Sequence, residues 1–323
     1  YAVKDLKHLY RDDLSTRDRA ELHSDFAREA SLLARCRHQN VLMLAGIVLN
    51  SSGLPLYMMT ELHQTNLHSM IQQHSTTGTT MPLSMTLNLA IELIRGVVYL
   101  HRSRNILHRD IKPSNLLCNN ATSTLSIADF GEAQFGTTND SDQDNWCVAG
   151  TPAYMAPEAL CGDAVDAKSD IFSVGVTLLE MCTGKLPTPT APRAVGASGR
   201  LVMVSEVVRR QHELESMSHG ASMCELIRNC LADARSARPS ASQLLQEVLA
   251  MRDDGLSLSA AAEESPVFAV NPAHDAANDT IVKLQMQVLE LQQHVREKTS
   301  RRESSVVGQS TTRLRRRVSA PFF

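Results

Sequence analysis

The sequence predicts an α+β fold of two lobes, on three observations. Its first sixty residues alternate strand-like and helical patterns, everything beyond the middle strands reads as mainly helical, and past Met251 the composition changes. A small strand-rich piece followed by a larger helical piece buries its apolar faces as two packed lobes. A cleft between lobes is the default place for a ligand.

The elements follow in order. Tyr1-Ala-Val-Lys4 is strand-like and opens the chain without an initiator Met or an apolar targeting segment, so the beginning of a domain is expected upstream. Leu22, Phe26, Ala30, Leu33 and Ala34 recur at spacings of three and four, which predicts a helix over 20–37 with one buried face. The basic stretch Lys7 to Arg19 before it reads as a loop. Val41–Leu49 and Leu54–Met59 are short apolar runs separated by Asn-Ser-Ser-Gly, two strands joined by a turn. Leu83–Leu100 is apolar on almost every side and follows Pro82, so it predicts a core helix, as does Ile171–Met181. Ser240-Ala-Ser-Gln243 is a capping box opening a helix with Leu244, Leu245, Val248 and Leu249 on one side.

Residues 253–279 are Ala/Ser/Asp-rich without a period and read as a linker. In 280–299, Ile281, Leu284, Val288, Leu291 and Val295 form an a/d pattern only about two heptads long. It reads equally as an amphipathic helix packing back on the domain and as a self-association segment. Residues 296–323 carry eight Lys/Arg against two Glu, net +6, so an overall charge of −3 conceals a −9 body ahead of a basic tail. That tail, 300–323, reads as disordered; its Arg313–Arg317 cluster is the part suited to acidic partners.

Composition excludes several classes. At 323 residues with 15 Gly and 12 Pro the chain is neither collagen-like nor low-complexity. The longest uninterrupted apolar run, Val41–Leu49, is far short of the roughly 20 residues that span a bilayer. No transmembrane segment is expected. Seven cysteines, odd in number and without a CxxC pair, fit neither a disulfide framework nor a zinc site, and suggest a reducing, cytoplasmic compartment. No GxG pair, GxxxxGK[ST], HExxH or GxSxG occurs, which removes Rossmann oxidoreductases, P-loop NTPases, zincins and α/β-hydrolases.

Polar residues set in apolar, strand-bounded stretches are what remains. Ile106-Leu-His-Arg-Asp-Ile-Lys-Pro-Ser-Asn-Leu-Leu117 places Asp110, Lys112 and Asn115 within six residues, and Asp129-Phe-Gly131 follows the strand-like Leu125-Ser-Ile-Ala. An acid that accepts a proton, an amide and a second acid that hold a divalent cation, and lysines that neutralise phosphate are the parts phosphoryl transfer needs.

On these residues the chain resembles the eukaryotic protein kinase domain over roughly 1–250. His108-Arg109-Asp110 with Lys112 and Asn115 is similar to that family's catalytic loop. The resemblance implies a bilobal kinase fold and a reaction moving the γ-phosphate of ATP, with Mg2+, to a protein hydroxyl. By it Asp110 would deprotonate that hydroxyl, Lys112 would meet the γ-phosphate, and Asn115 and Asp129 would ligate the metal. Lys4 would grip the α/β-phosphates and pair with Glu29, although Glu21 lies on the same predicted helix. Thr60 aligns with the gatekeeper, the backbones of Glu61 and His63 would bind adenine, and Ala2 and Leu117 would sandwich it. His108 would be structural, stacked with Phe130, Leu33 and Leu44. Glu158 of Ala-Pro-Glu would pair with Arg238, and Asp170 would anchor the catalytic loop.

Lys112-Pro-Ser-Asn and Gly150-Thr-Pro-Ala-Tyr154 resemble serine/threonine kinases, with Thr151 beside Asp110 and Lys112; the Thr60 region resembles the tyrosine-kinase-like branch. Arg109 implies an activation-loop phosphate, for which Thr137, Thr138 and Ser141 are the candidates. The sequence departs from the family in lacking the glycine-rich loop and first two strands, and in carrying Phe172 where Trp is usual. The rival expectation is a catalytically impaired kinase-like scaffold or signalling adaptor.

Overall fold

A computed structural model describes residues 1–5, 15–49, 55–119, 124–136, 150–185 and 220–256. In the first lobe, β1 (Ala2–Asp5), β2 (Leu44–Leu49) and β3 (Pro55–Thr60) form an antiparallel sheet in the order β1-β3-β2. Ala2 stands opposite Thr60 and Lys4 opposite Met58. α1 (Thr16–Ala34) packs on this sheet through Phe26, Ala30 and Leu33. It starts earlier than its apolar period suggests, because Ser15 caps it by accepting from Asp18 N at 3.1 Å. Residues 16–19 are therefore the first turn of a helix rather than loop.

The run Val41–Leu49 is not one strand. Val41 bridges in parallel to Ile127, Leu42 N donates to Ile127 O, and Ile127 N donates to Asn40 O, both at 2.9 Å. Residues 40–42 thus belong to the second lobe's backbone and only Leu44 onward joins the sheet. The approach is close: a Cβ on Gly96 would lie 2.7 Å from Asn40 O.

The second lobe holds α2 (Leu67–Thr76), α3 (Leu83–Val98, continuing as a π-helical turn Tyr99–Arg104), α4 (Pro157–Leu160), α5 (Ala167–Thr183), α6 (Gly220–Cys230) and α7 (Ala241–Leu256). It is not all helical past the middle strands. β4 (Thr65–Asn66), β6 (Leu116–Asn119) and β7 (Thr124–Ile127) form one small sheet, β5 (Ile106–Leu107) and β8 (Gln134–Phe135) another. Strands of two to four residues are too short to show a period of two. α7 opens with the expected capping box, Gln243 N to Ser240 Oγ at 3.3 Å and Ser240 N to Gln243 Oε1 at 2.9 Å. It runs to Leu256, a turn past the compositional boundary at 253. The segments 280–299 and 300–323 lie outside the described residues.

α3 with its π turn, Leu83–Arg104, is long and apolar enough by length and composition to cross a membrane. Leu89, Leu93, Ile94 and Val97 are buried in the one large core, where α3 packs against β7, α5 and α7. The segment is therefore built into this fold as a core helix. α5 is the hub: every residue from Ser169 to Thr183 is buried. At Gly175 a Cβ would come within 2.6 Å of Cys230 Cβ on α6. Burial pushes the Cys36, Cys118 and Cys182 thiols up to about 12, so they behave as small apolar side chains.

Arg238 and Glu158 form an ion pair buried within this lobe. Arg238, 1% exposed, donates to Glu158 Oε1 at 2.7 Å and Oε2 at 2.9 Å, and to the carbonyls of Ala232 and Lys168. Ser169 Oγ adds a third donor to Glu158 at 2.8 Å. The guanidinium lies 5.0 Å from the Phe172 ring centroid, so the phenyl that replaces Trp forms the apolar floor of this pair. Burial pushes the Glu158 carboxyl up, but the hydrogen bonds from Arg238 and Ser169 prevail and hold it below its usual 4.5.

Two outcomes are expected. Glu158→Ala leaves a buried guanidinium without its counter-charge and costs about 3–5 kcal/mol in urea unfolding at neutral pH. Because Glu158 titrates lower folded than unfolded, its contribution is present above about 4.5 and is lost as pH falls through its folded value. Glu158→Gln therefore shows a shallower stability decline below pH 4.5 than the parent; an identical slope contradicts this.

Candidate active site

The site is built from the loop after β5. His108 N and Arg109 N donate to Asp170 Oδ2 and Oδ1 at 2.9 and 2.8 Å, and His101 Nε2 bonds Oδ2 at 2.8 Å. Asp170 is buried at the start of α5. Burial pushes its carboxyl up, but the hydrogen bonds from His101 and from the His108 backbone prevail and hold it below the usual range. Its grip lets Arg109 adopt φ 65°, a left-handed conformation that L side chains rarely take. His108 accepts from Asp110 N on Nδ1 and so donates from Nε2 to Ala128 O at 3.0 Å. Burial lowers its pKa, which keeps it neutral in that role. Phe130 packs edge-on to it, centroids 5.1 Å apart, in the core that also holds Leu33 and Leu44.

The loop bends at Asp110 into a short 3-10 turn, Pro113–Asn115, that returns it to β6. Four donors meet the Asp110 carboxylate. Lys112 Nζ and Asn115 Nδ2 reach Oδ2 at 2.6 and 2.9 Å, and Thr151 N and Oγ1 each reach Oδ1 at 2.9 Å. Lys112 Nζ also donates to Thr151 Oγ1 at 2.7 Å, closing a ring across two chain segments. Gly150 makes this closure possible: its φ is +105°, and a Cβ there would lie 2.5 Å from Arg109 O. Sequence reasoning passed over Gly150 as part of a motif; its place directly before Thr151 was the available signal.

Asp129 leaves β7 at φ 65° with its side chain exposed. Among the described residues neither its carboxylate nor Asn115 Oδ1 takes a hydrogen bond, so these oxygens stay open to a ligand. No group of three His, Cys, Asp or Glu able to hold a metal occurs among the described residues. An amide and one carboxylate suit a hard cation that completes its shell with substrate phosphates and water rather than in a protein cage.

Across from this loop, Lys4 Nζ meets Glu29 Oε1 and Oε2 at 2.9 and 2.8 Å. Glu29 is buried on α1 while Lys4 stays half exposed, so its ammonium is held at the lobe surface. The connection between lobes runs Thr60, Glu61, Leu62, His63. Glu61 exchanges bonds with Met43, accepting on Oε1 at 2.9 Å and donating its N–H at 3.2 Å. His63 Nε2 bonds Ser126 Oγ at 3.2 Å, and Ser126 donates on to Gln39 O at 3.1 Å. Leu117 pairs with Ser126 across β6–β7, and Ala2 with Thr60 across β1–β3. All of these converge on the connecting segment. Ser126 and Gln39 were not anticipated, since a serine in an apolar strand carries no motif.

Arg109 Nη1 donates to Gln134 Oε1 at 2.9 Å, a partner that sequence reasoning also missed. Thr137, Thr138 and Ser141 lie outside the described residues.

Comparison with known proteins agrees with this geometry. Residues 1–249 match the family model described as "Protein kinase domain". The chain is 34% identical over 183 residues to Mitogen-activated protein kinase kinase 1 of Arabidopsis thaliana, covering 56% of this chain and 51% of that protein. It is 36% identical over 156 residues to Mitogen-activated protein kinase kinase 2 of the same plant, 48% and 42% of the two chains. To the Arabidopsis Probable serine/threonine-protein kinase PBL8 it is 27% identical over 271 residues, 78% and 64%. The chain thus spans about half the length, or less, of the first of these relatives. A two-lobed fold, an Asp110 ringed by Lys112, Asn115 and Thr151, a Lys4–Glu29 pair and a family match over three quarters of its length make this chain a member of the protein kinase domain family.

Proposed function

We propose that the protein is an ATP-dependent serine/threonine protein kinase. The observation that carries the reading is the Asp110 carboxylate, oriented by four donors from Lys112, Asn115 and Thr151. A serine or threonine hydroxyl of a protein substrate would give its proton to Asp110 as its oxygen bonds to the γ-phosphorus and the bond to ADP breaks. Lys112 is placed to neutralise charge growing on the transferred group, and Lys4, fixed by Glu29, to hold the preceding phosphates. Glu61 and His63 would offer backbone groups to adenine, with Ala2 and Leu117 on its two faces. Asn115 and Asp129 would hold a divalent ion, Mg2+ by its preference for oxygen and phosphate, and that ion would neutralise phosphate charge. Thr151, bonded to both Asp110 and Lys112, ties the segment before Ala-Pro-Glu158 to the reacting loop and supports a site for small hydroxyl residues.

Six free cysteines among the described residues support an intracellular, reducing location. Self-association through 281–295 and acidic partners for the basic tail rest on sequence pattern alone. The scaffold reading has no supporting observation, since Lys4, Asp110, Asn115 and Asp129 are all present.

The test is phosphate incorporation by the full-length protein from Mg-ATP into peptides carrying Ser, Thr or Tyr. Transfer to Ser/Thr is expected, falling roughly 10²–10⁴-fold in Asp110→Asn, the range of a general base. An Asp110→Asn or Asp129→Asn protein as active as the parent overturns the reading. In thermal shift, Mg-ATP at about a hundredfold over its dissociation constant should stabilise the parent by about 2.7 kcal/mol. Lys4→Met should show less at the same concentration.

A further inference from the structure

Consecutive residues hold α1 from two sides. Successive side chains on a helix diverge by about 100°, so neighbours face different surroundings. Glu29 turns to β1 and takes Lys4. Arg28 turns to the other lobe, where its Nη2 donates to Gly131 O at 2.7 Å. Asp25, one turn back on α1, lies 3.3 Å from the same nitrogen and orients the guanidinium.

Gly131 O closes a segment that needs fixing. Asp129 sits at φ 65°, a conformation that persists in a non-glycine residue only where its surroundings over-determine it. Before Asp129 the chain is pinned twice, by Ala128 N to Asn115 O at 2.9 Å and by His108 Nε2 to Ala128 O. Phe130 is buried against His108. After it, Ala133 N donates to Phe130 O at 3.1 Å, and Arg28 supplies a tie from the first lobe.

We propose that Arg28 is a positioning residue that locks α1 onto the Asp129-Phe130-Gly131 turn, so that the Lys4–Glu29 pair and the Asp129 carboxylate come into place together. The consequence for turnover rests on the kinase reading; the lock itself does not. A guanidinium that merely decorated the surface would leave both the turn and the turnover unchanged.

The test compares backbone hydrogen exchange in the full-length parent, Arg28→Gln and Arg28→Lys. In Arg28→Gln, amides of 130–134 and of α1 should exchange about fivefold faster, the weight of one hydrogen bond, with the melting temperature unchanged. kcat should fall by about the same factor with the peptide KM unchanged, and Arg28→Lys should restore most of both. The proposal is overturned by parent-like exchange at 130–134, by faster exchange spread over the whole chain with a lower melting temperature, or by no recovery in Arg28→Lys. A parent that transfers no phosphate refutes the kinase reading, and exchange still decides the lock.

Discussion

One buried carboxylate sets the position of the loop that carries Asp110. Asp170 stands in the first turn of α5, and α5 is enclosed by the core along nearly its whole length. Its two oxygens take the backbone N–H groups of His108 and Arg109, while His101 fixes its remaining freedom. A loop residue at φ 65° is strained, and here that strain is offset by charge-assisted hydrogen bonds to a carboxylate on a helix buried along most of its length. The direction in which the chain leaves Arg109, and so the place of Asp110, is inherited from the packing of α5.

From that fixed point the site grows by pairwise closure. His108 carries the constraint on to Ala128, just before Asp129. Asp110, Lys112 and Thr151 close a ring that ties the loop to the segment leading to Glu158, and Glu158 is itself locked to Arg238. The first lobe attaches through Asn40 to β7 and through α1, whose Glu29 and Arg28 reach in different directions. The Asp110 loop therefore depends on a few polar contacts anchored in the buried Asp170, while apolar volume supplies the rigid support.

The sequence made the reacting residues legible because they are polar in stretches otherwise apolar, and their order left little room for coincidence. The resemblance named Glu29 although Glu21 lies on the same helix, and the bond to Lys4 falls on Glu29. Less legible was anything set by contact between distant segments. The apolar run 41–49 gives no sign that its first residues pair with Ile127, since an unbroken series of apolar residues has no period to mark where the pairing changes. Ser15 as a cap was hidden in a basic stretch read as loop. Arg28, Gln134 and Ser126 act through backbone carbonyls or single side chains, which leave no spacing to recognise. Phe172 stood out only as a departure, and its use as the floor under Arg238 becomes visible once the two are seen 5.0 Å apart.

The most direct measurement of the central claim is steady-state turnover and nucleotide affinity in Asp170→Asn of the full-length protein. The amide keeps the shape but presents an N–H where a backbone N–H must be accepted. Hydrogen bonds to a charged group are worth about 1.5–3 kcal/mol, so turnover should fall roughly tenfold to a hundredfold, with a folded protein and nearly unchanged ATP affinity. Parent-like turnover in a folded Asp170→Asn protein would contradict the claim that this carboxylate positions the catalytic loop.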